Sequence, residues 1–240
     1  MATIDAFTQI KQSLRTFERR LRYYASRIST LWGSDRSNYP SAILGVGSNA
    51  NLETVAFVRS AASKVVAEVG IYQGDTSLEL AKVLNGSGEL HLFDFQDRVD
   101  AVEKRIREAG FHNIRTYGNS YKLLDSYNWQ LAKLIEKSNG PIYDYVYMDG
   151  NSTFAIDGLA FCLVDRLLKA GGYVDFDNYD FTLGNSRTFR PERFPLTGKL
   201  YTREQIDTKQ AKMIIDLLVR KSGRYTEIVP NKIFRKNAAD

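Results

Sequence analysis

Apolar residues near the start of the chain recur in alternating steps of four and three: Ile10, Leu14, Phe17, Leu21, Tyr24, Ile28 and Leu31. That spacing predicts an amphipathic helix within residues 1–36, with Arg15, Arg19, Arg20, Arg22 and Arg27 on its other faces. A stripe of this length has to be covered by something. Packing on its own domain and a homodimer through the 10–31 helix are two open readings, and a membrane-surface helix is a third. Residues 37–63 read as a linker followed by a short helix over 52–62, since Gly, Ser and Asn are frequent from Gly33 to Asn51.

From Lys64 the pattern changes to short apolar runs separated by longer amphipathic segments. VVAEVGIY, LHLFDF, Ile114–Tyr117, YDYVYM and Tyr173–Phe176 read as five strands. Between them, Thr76–Leu84, Val99–Ala109, Tyr121–Lys137 and Ile156–Lys169 read as helices, with Gly110 and the Gly171-Gly172 pair as stop signals. A long loop then leads to a helix over Lys209–Arg220. Two short closing strands, Tyr225–Val229 and Ile233–Arg235, flank Pro230-Asn231. Strands alternating with helices predict an α/β fold: a Rossmann-like, doubly wound, seven-stranded sheet, mostly parallel with the last strand antiparallel, and an N-terminal helical appendage.

Composition narrows the class without naming a function. The chain has 240 residues, 43% hydrophobic and 25% charged, as soluble globular chains do. No run of eighteen apolar residues occurs, so no membrane span is expected. The first twenty residues lack the apolar core of a secretory signal, and the single cysteine, Cys162, permits no internal disulfide. A cytoplasmic location is the expectation. Cys162 falls on an apolar helix face and is read as core. The net charge of +5 is uneven: residues 1–36 and 220–240 each carry +4, leaving the middle at −3. Basic ends suit an anionic neighbour, but solvated surface is the preferred reading, and nucleic acid is not the expected partner.

In an open parallel sheet the ligand lies beyond the carboxyl ends of the strands. Here all five strand ends carry small or acidic residues. After the first comes Glu68-Val-Gly70-Ile-Tyr72-Gln-Gly74-Asp75-Thr76; after the second, Asp94 and Phe95; after the third, Gly118-Asn119-Ser120. Asp149-Gly150-Asn151-Ser152 follows the fourth and Asp177-Asn178-Tyr179-Asp180 the fifth. The first loop is glycine-poor beside the dinucleotide fingerprint, and Asp75 at the helix start would repel a pyrophosphate. Asp94 lies twenty residues past Gly74, where a carboxylate can accept both hydroxyls of a ribose. The pocket reads as one for a nucleoside without phosphates. His91 and His112 have no partner at ligand spacing and read as structural.

Taken together, these residues resemble class I S-adenosylmethionine-dependent methyltransferases. AEVGIYQGDTSLELAKVL matches that family's first motif in its E-x-G-x-Y-x-G form, LHLFDF the acidic second motif, and YGNS the third-strand motif. YDYVYMDG and LLKAGGYVDFDNYDF match the fourth and fifth. The resemblance covers about residues 64–180, with the closing strands fitting too. Within the class it is similar to catechol-type and sugar or natural-product O-methyltransferases. It implies a methyltransferase domain over 64–240, with residues 181–205 as a lid-like loop that chooses the acceptor.

The resemblance also implies roles. S-adenosylmethionine would be held by Glu68, Gly70, Tyr72, Gly74, Thr76, Asp94, Phe95, Asn119, Ser120 and Asp149. Asp149, Asp177 and Asn178 fall on the positions that hold a divalent cation, and Asp149 and Asp177 are the catalytic candidates. Two carboxylates and an amide oxygen are hard ligands, suited to magnesium, manganese or calcium and unsuited to zinc. Where the catechol type carries a lysine, and many sugar-modifying relatives a histidine, this chain has Ser152. The base is therefore open: the metal alone, Asp180 or a histidine. The implied activity is methyl transfer to a hydroxyl of a small molecule: a sugar, a natural product or a catechol-like acceptor. An RNA methyltransferase, a dinucleotide-binding oxidoreductase and a non-catalytic binding protein of the same fold remain the alternatives. The missing third glycine and Asp75 speak against the oxidoreductase.

Overall fold

The computed structural model describes residues 49–122 and 124–238. The N-terminal helix expected within 1–36, and most of the linker, lie outside the described residues. The described chain opens with helix α1 (Leu52–Ser60), capped by Asn51, whose side chain accepts a hydrogen bond from the Thr54 amide at 3.1 Å. Strand β1 (Val65–Val69) is buried along nearly its whole length. Such a run without alternation is what a central strand covered on both faces requires.

The units then repeat as the pattern predicts: α2 (Asp75–Leu84), β2 (Glu89–Phe95), α3 (Gln96–Glu108), β3 (Ile114–Asn119), α4 (Tyr127–Lys137), β4 (Tyr143–Met148), α5 (Phe154–Leu167) and β5 (Leu168–Phe176). In α3 the buried positions are Val99, Val102 and Ile106, one stripe of a charged helix. Gly110, at φ 88°, turns the chain out of that helix. Helix α4 begins at Ser126, which caps the Asn128 amide, later than the expected start at Tyr121. The Gly171-Gly172 pair does not simply end a helix. Strand β5 already begins at Leu168, and Gly171, at φ 80°, sits where the β4–β5 pairing shifts register.

The sheet has seven strands in the order β3-β2-β1-β4-β5-β7-β6. Strands β1 to β5 pair in parallel; β7 (Ile233–Lys236) lies antiparallel between β5 and β6 (Tyr225–Val229). This is the expected doubly wound sheet with its antiparallel last strand. One face is packed by Phe161, Val164, Leu131 and Ile215; the other by Val58, Leu80, Val99 and Tyr145. Truncating a fully buried aromatic such as Phe161 to Ala would cost about 3–5 kcal/mol.

Three expectations change. The segment after β5 is not one plain loop: it contains two short helices, α6 (Leu196–Leu200) and α7 (Arg203–Asp207). The final helix, α8 (Gln210–Ile214), continues as a wider π turn over Ile215–Val219 and a tight turn over Arg220–Ser222. Cys162 is exposed rather than core, because the buried stripe of α5 runs through Phe161 and Val164 instead. No helix among the described residues is long and apolar enough to cross a membrane.

Candidate active site

The strand order reverses between β1 and β4, and the crevice of such a sheet opens at that switch point, beyond the carboxyl ends. Gly70 leaves β1 at φ 85°, with its amide donating to the Phe93 carbonyl at 2.8 Å. A Cβ on Gly70 would stand 2.2 Å from the carbonyl oxygen of Asp149. Only glycine permits this backbone approach, which joins the first loop to the end of β4. Gly74, at φ 77°, opens α2, and a Cβ there would meet Val102 at 2.5 Å.

The Asp94 carboxylate organises the loop between these glycines. It accepts the Ile71 amide at 2.9 Å and the Tyr72 amide at 3.2 Å. Its other oxygen accepts the Phe95 amide at 2.7 Å and faces Arg98 at 3.4 Å. Arg98 also lies over the rings of Tyr72, at 5.8 Å, and Phe95, at 5.3 Å. The Phe95 ring stacks on Tyr121 with centroids 4.2 Å apart. Asp75, expected to repel a phosphate, is paired with Arg105 at 2.8 Å.

Glu68 is almost wholly buried and accepts a 2.6 Å hydrogen bond from the Ser77 hydroxyl. Burial raises its pKa to about 8; the Ser77 bond works against that rise, while Asp94 adds to it. Burial thus favours the neutral carboxyl in the free protein. Thr76 is buried and accepts the Asn51 backbone amide at 2.9 Å. Asn119 is buried, and Ser120 is held by the Asp125 carboxylate at 2.7 Å through both its amide and its hydroxyl.

Asp149, Asp177 and Asn178 come together as the sequence predicts. The Asp149 amide donates to the Val69 carbonyl at 2.9 Å and the Asp177 amide to the Met148 carbonyl at 3.0 Å, so the ladder itself sets the two acids side by side. Asn178, at φ 61°, reaches back to Asp149 Oδ1 at 3.1 Å through its terminal amide. Asp149 is pushed well above the usual carboxylate range, first by burial, then by Asp177 and Glu68. Two neighbouring half-buried carboxylates beside the exposed Asn178, with oxygen donors only, fit a hard divalent cation. Among the described residues no group of three or more His, Cys, Asp or Glu side chains is placed to hold a metal; the third donor here would be an amide.

Ser152, at φ 54°, donates its amide to Asp157 at 2.6 Å and is itself buried. It is thus part of the turn into α5. His91 hydrogen-bonds with Tyr143 at 2.9 Å and Glu89 at 3.2 Å, far from the crevice in register, as a structural histidine should. Asp180 pairs with Lys209 at 2.6 Å.

Sequence reasoning missed three groups at this edge. Asn51 donates to the Tyr147 hydroxyl at 3.1 Å, and that hydroxyl donates to Asp149 Oδ2 at 3.3 Å. Asp175 is fully buried and accepts Thr54 at 2.6 Å and Tyr145 at 2.5 Å. Lys232, from the β6–β7 turn, pairs with Asp175 at 2.9 Å. The alternation in YDYVYM signals that Tyr147 shares a face with Asp149. Nothing local signals Lys232.

No family model matches the chain, and no curated protein matches it. Solved structures do. The O-methyltransferase TomG from Streptomyces achromogenes, solved with SAM, is 15% identical, with 88% of each chain covered and a TM-score of 0.55. An O-methyltransferase from Bacillus cereus, solved with SAH, is also 15% identical, covering 88% of this chain and 91% of that one, with a TM-score of 0.56. An rRNA-methylase-like structure from Clostridium thermocellum is 11% identical, covering 80% of this chain and 99% of that one, with a TM-score of 0.52. At such identities the likeness concerns architecture alone. The chain has the fold of the class I S-adenosylmethionine-dependent methyltransferases.

Proposed function

We propose that the chain transfers a methyl group from S-adenosylmethionine to a hydroxyl of a small molecule, with a divalent cation held by Asp149, Asp177 and Asn178. The observation that carries this reading is the meeting of Gly70 with the Asp149 backbone. It places the Glu68–Tyr72 loop, Asp94 and the paired acids around one crevice.

The sulfonium of S-adenosylmethionine, when bound, supplies an electrophilic methyl group. Glu68, buried and poised to ionise, is placed for the cationic methionine end. Gly70 lets the cofactor approach the backbone. Asp94 faces the ribose hydroxyls while its loop contacts hold Ile71 and Tyr72. Phe95 offers its face to the adenine, with Asn119 and Ser120 at its edge. A divalent cation, when bound, lowers the pKa of an acceptor hydroxyl. Asp149 and Asp177 would hold that cation against the acceptor; the hydroxyl proton would pass to water, the methyl–sulfur bond would break to leave S-adenosylhomocysteine, and transfer then depends mainly on alignment. The Ser152 amide is committed to its turn, and a serine is a poor general base unaided. Residues 181–205 form the acceptor lid, where Arg187, Arg190 and Arg193 are exposed and suit an anionic or sugar-like acceptor.

RNA is a weaker acceptor. Four of the six basic residues in 220–240 are paired internally: Arg220 with Asp216 and Glu227, Arg224 and Lys236 with Asp165, and Lys232 with Asp175. Lys221 and Arg235 remain exposed there outside those ion pairs, a sparse cationic surface for a polyanion. A small-molecule acceptor screen with radiolabelled S-adenosylmethionine, with and without magnesium, tests the reading. Turnover on hydroxyl acceptors that EDTA abolishes supports it. Turnover on RNA alone replaces it.

A further inference from the structure

The acid pair has an anchor outside the strands that carry it. Lys232 touches the residue two positions before each acid. Its ammonium pairs with Asp175 at 2.9 Å, two residues before Asp177. It also lies over the ring of Tyr147, 5.4 Å from the centroid, two residues before Asp149. In strands, residues two apart share a face. Tyr147 and Asp175 are register partners in the β4–β5 ladder, so the lysine bridges adjacent positions of neighbouring strands. From the first it reaches the acid through the strand end; from the second, through the Tyr147 hydroxyl on Asp149 Oδ2.

The lysine is itself fixed. Its carbonyl accepts the Phe176 amide at 2.9 Å, the bond immediately before Asp177. Its own amide donates to the Val229 carbonyl at 3.1 Å. Asn231, at φ 61°, is held by Arg220 at 2.7 Å and by Glu227 at 2.6 Å. The side chain is only 14% exposed and Asp175 not at all. A cation so placed is expensive to desolvate unless it is paired, and Asp175 is the acid it meets.

We propose that Lys232 is a positioning residue for Asp149 and Asp177. It fixes the separation of the two carboxylates against their mutual repulsion and thereby sets the affinity of the site for a divalent cation. This rests on the reading that these acids hold such a cation. Outer partners of this kind typically govern metal affinity by about 10–100-fold.

The test is Mn2+ binding to the full chain by electron paramagnetic resonance, beside S-adenosylhomocysteine binding by calorimetry. Wild type, D177N, K232M and K232R are compared. The expected result has four parts. Wild type binds Mn2+, and D177N loses it. K232M binds Mn2+ at least about tenfold more weakly while its S-adenosylhomocysteine affinity stays within about twofold. K232R returns to within about threefold of wild type, since a guanidinium can span both partners. K232M within twofold of wild type for Mn2+ overturns the proposal, as does an equal loss of both ligands. Should K232M not fold, K232M/D175N removes the unpaired buried carboxylate and is read by the same thresholds. Wild type that binds S-adenosylhomocysteine but no Mn2+ overturns the proposal and the cation reading, leaving the methyltransferase reading intact. Wild type that binds Mn2+ alone breaks the methyltransferase reading, and the Mn2+ comparison still decides Lys232.

Discussion

Gly70 and Asp149 meet so closely that a single added carbon on the glycine would stand 2.2 Å from the aspartate carbonyl. The contact joins the two strands on either side of the switch point. It makes the Gly70–Gly74 loop and the acid pair one unit. G70A therefore has two faults: a clash with backbone that cannot swing away, and a φ of 85° that an L residue rarely adopts. The expected cost is about 1–3 kcal/mol or more in denaturant unfolding. S-adenosylhomocysteine binding is expected to fall below detection. A G70A protein with unchanged midpoint and affinity would show that the loop can relocate.

Asp94 holds the loop, and the proposed function gives it the ribose as well; two substitutions separate these roles. D94A leaves the Ile71 and Tyr72 amides without their acceptor and should destabilise the free protein by about 1–3 kcal/mol. D94N keeps an acceptor oxygen for those amides but loses the charge. Its new NH2 faces the Phe95 amide and Arg98, so it is expected to melt between D94A and wild type while binding S-adenosylhomocysteine about 10–100-fold more weakly. Melting curves and calorimetry read the two effects. Equal affinity in D94N and wild type would remove Asp94 from ribose recognition.

Glu68 gives a pH signature. Its pKa is raised from 4.5 to about 8 in the fold, mainly by burial. The folded form thus holds the proton more tightly than the unfolded chain. The contribution to stability is complete below about pH 4.5 and is lost as the pH rises through about 8. E68Q should accordingly stabilise the free protein at pH 8 by about 1–3 kcal/mol, with little effect at pH 4.5. It should also weaken cofactor binding. In wild type at pH 7, a cationic ligand that favours the ionised carboxylate will release protons. Binding heats will then vary with the ionisation enthalpy of the buffer, and heats independent of buffer would count against the role.

The order of strands and helices was legible because buried parallel strands such as VVAEV and YDYVYM read as short apolar runs between glycine-marked helix ends. Glu68, Asp94, Asp149 and Asp177 were legible because each ends a strand, and a doubly wound sheet gathers strand ends at one edge. The extra helices over 196–207 were hidden by their shortness; five residues carry little periodicity. Cys162 was misread because residues Phe161 and Cys162 are both apolar, and only packing shows which faces the sheet. Lys232 was invisible for another reason. Its partners, Asp175 and Tyr147, lie 57 and 85 positions away, and pairing of that kind depends on register across three strands.

The lid proposed over residues 181–205 would act on acceptor binding, so its substitutions should spare the cofactor. Once an acceptor is known, R187A/R190A is expected to raise the acceptor KM by about tenfold per lost charged contact, at most a hundredfold in all. The kcat and the KM for S-adenosylmethionine should stay near wild type. Unchanged acceptor kinetics would sink the assignment of residues 181–205 as the specificity lid.

The central claim is a crevice that binds the adenosyl cofactor and holds a divalent cation beside it. Titrating the full chain calorimetrically with S-adenosylhomocysteine, in EDTA and again in excess magnesium, tests it most directly. The account predicts micromolar binding in both buffers and a separate magnesium heat that Asp177→Ala abolishes. No binding in either buffer would contradict it, and would leave a methyltransferase fold put to some other use.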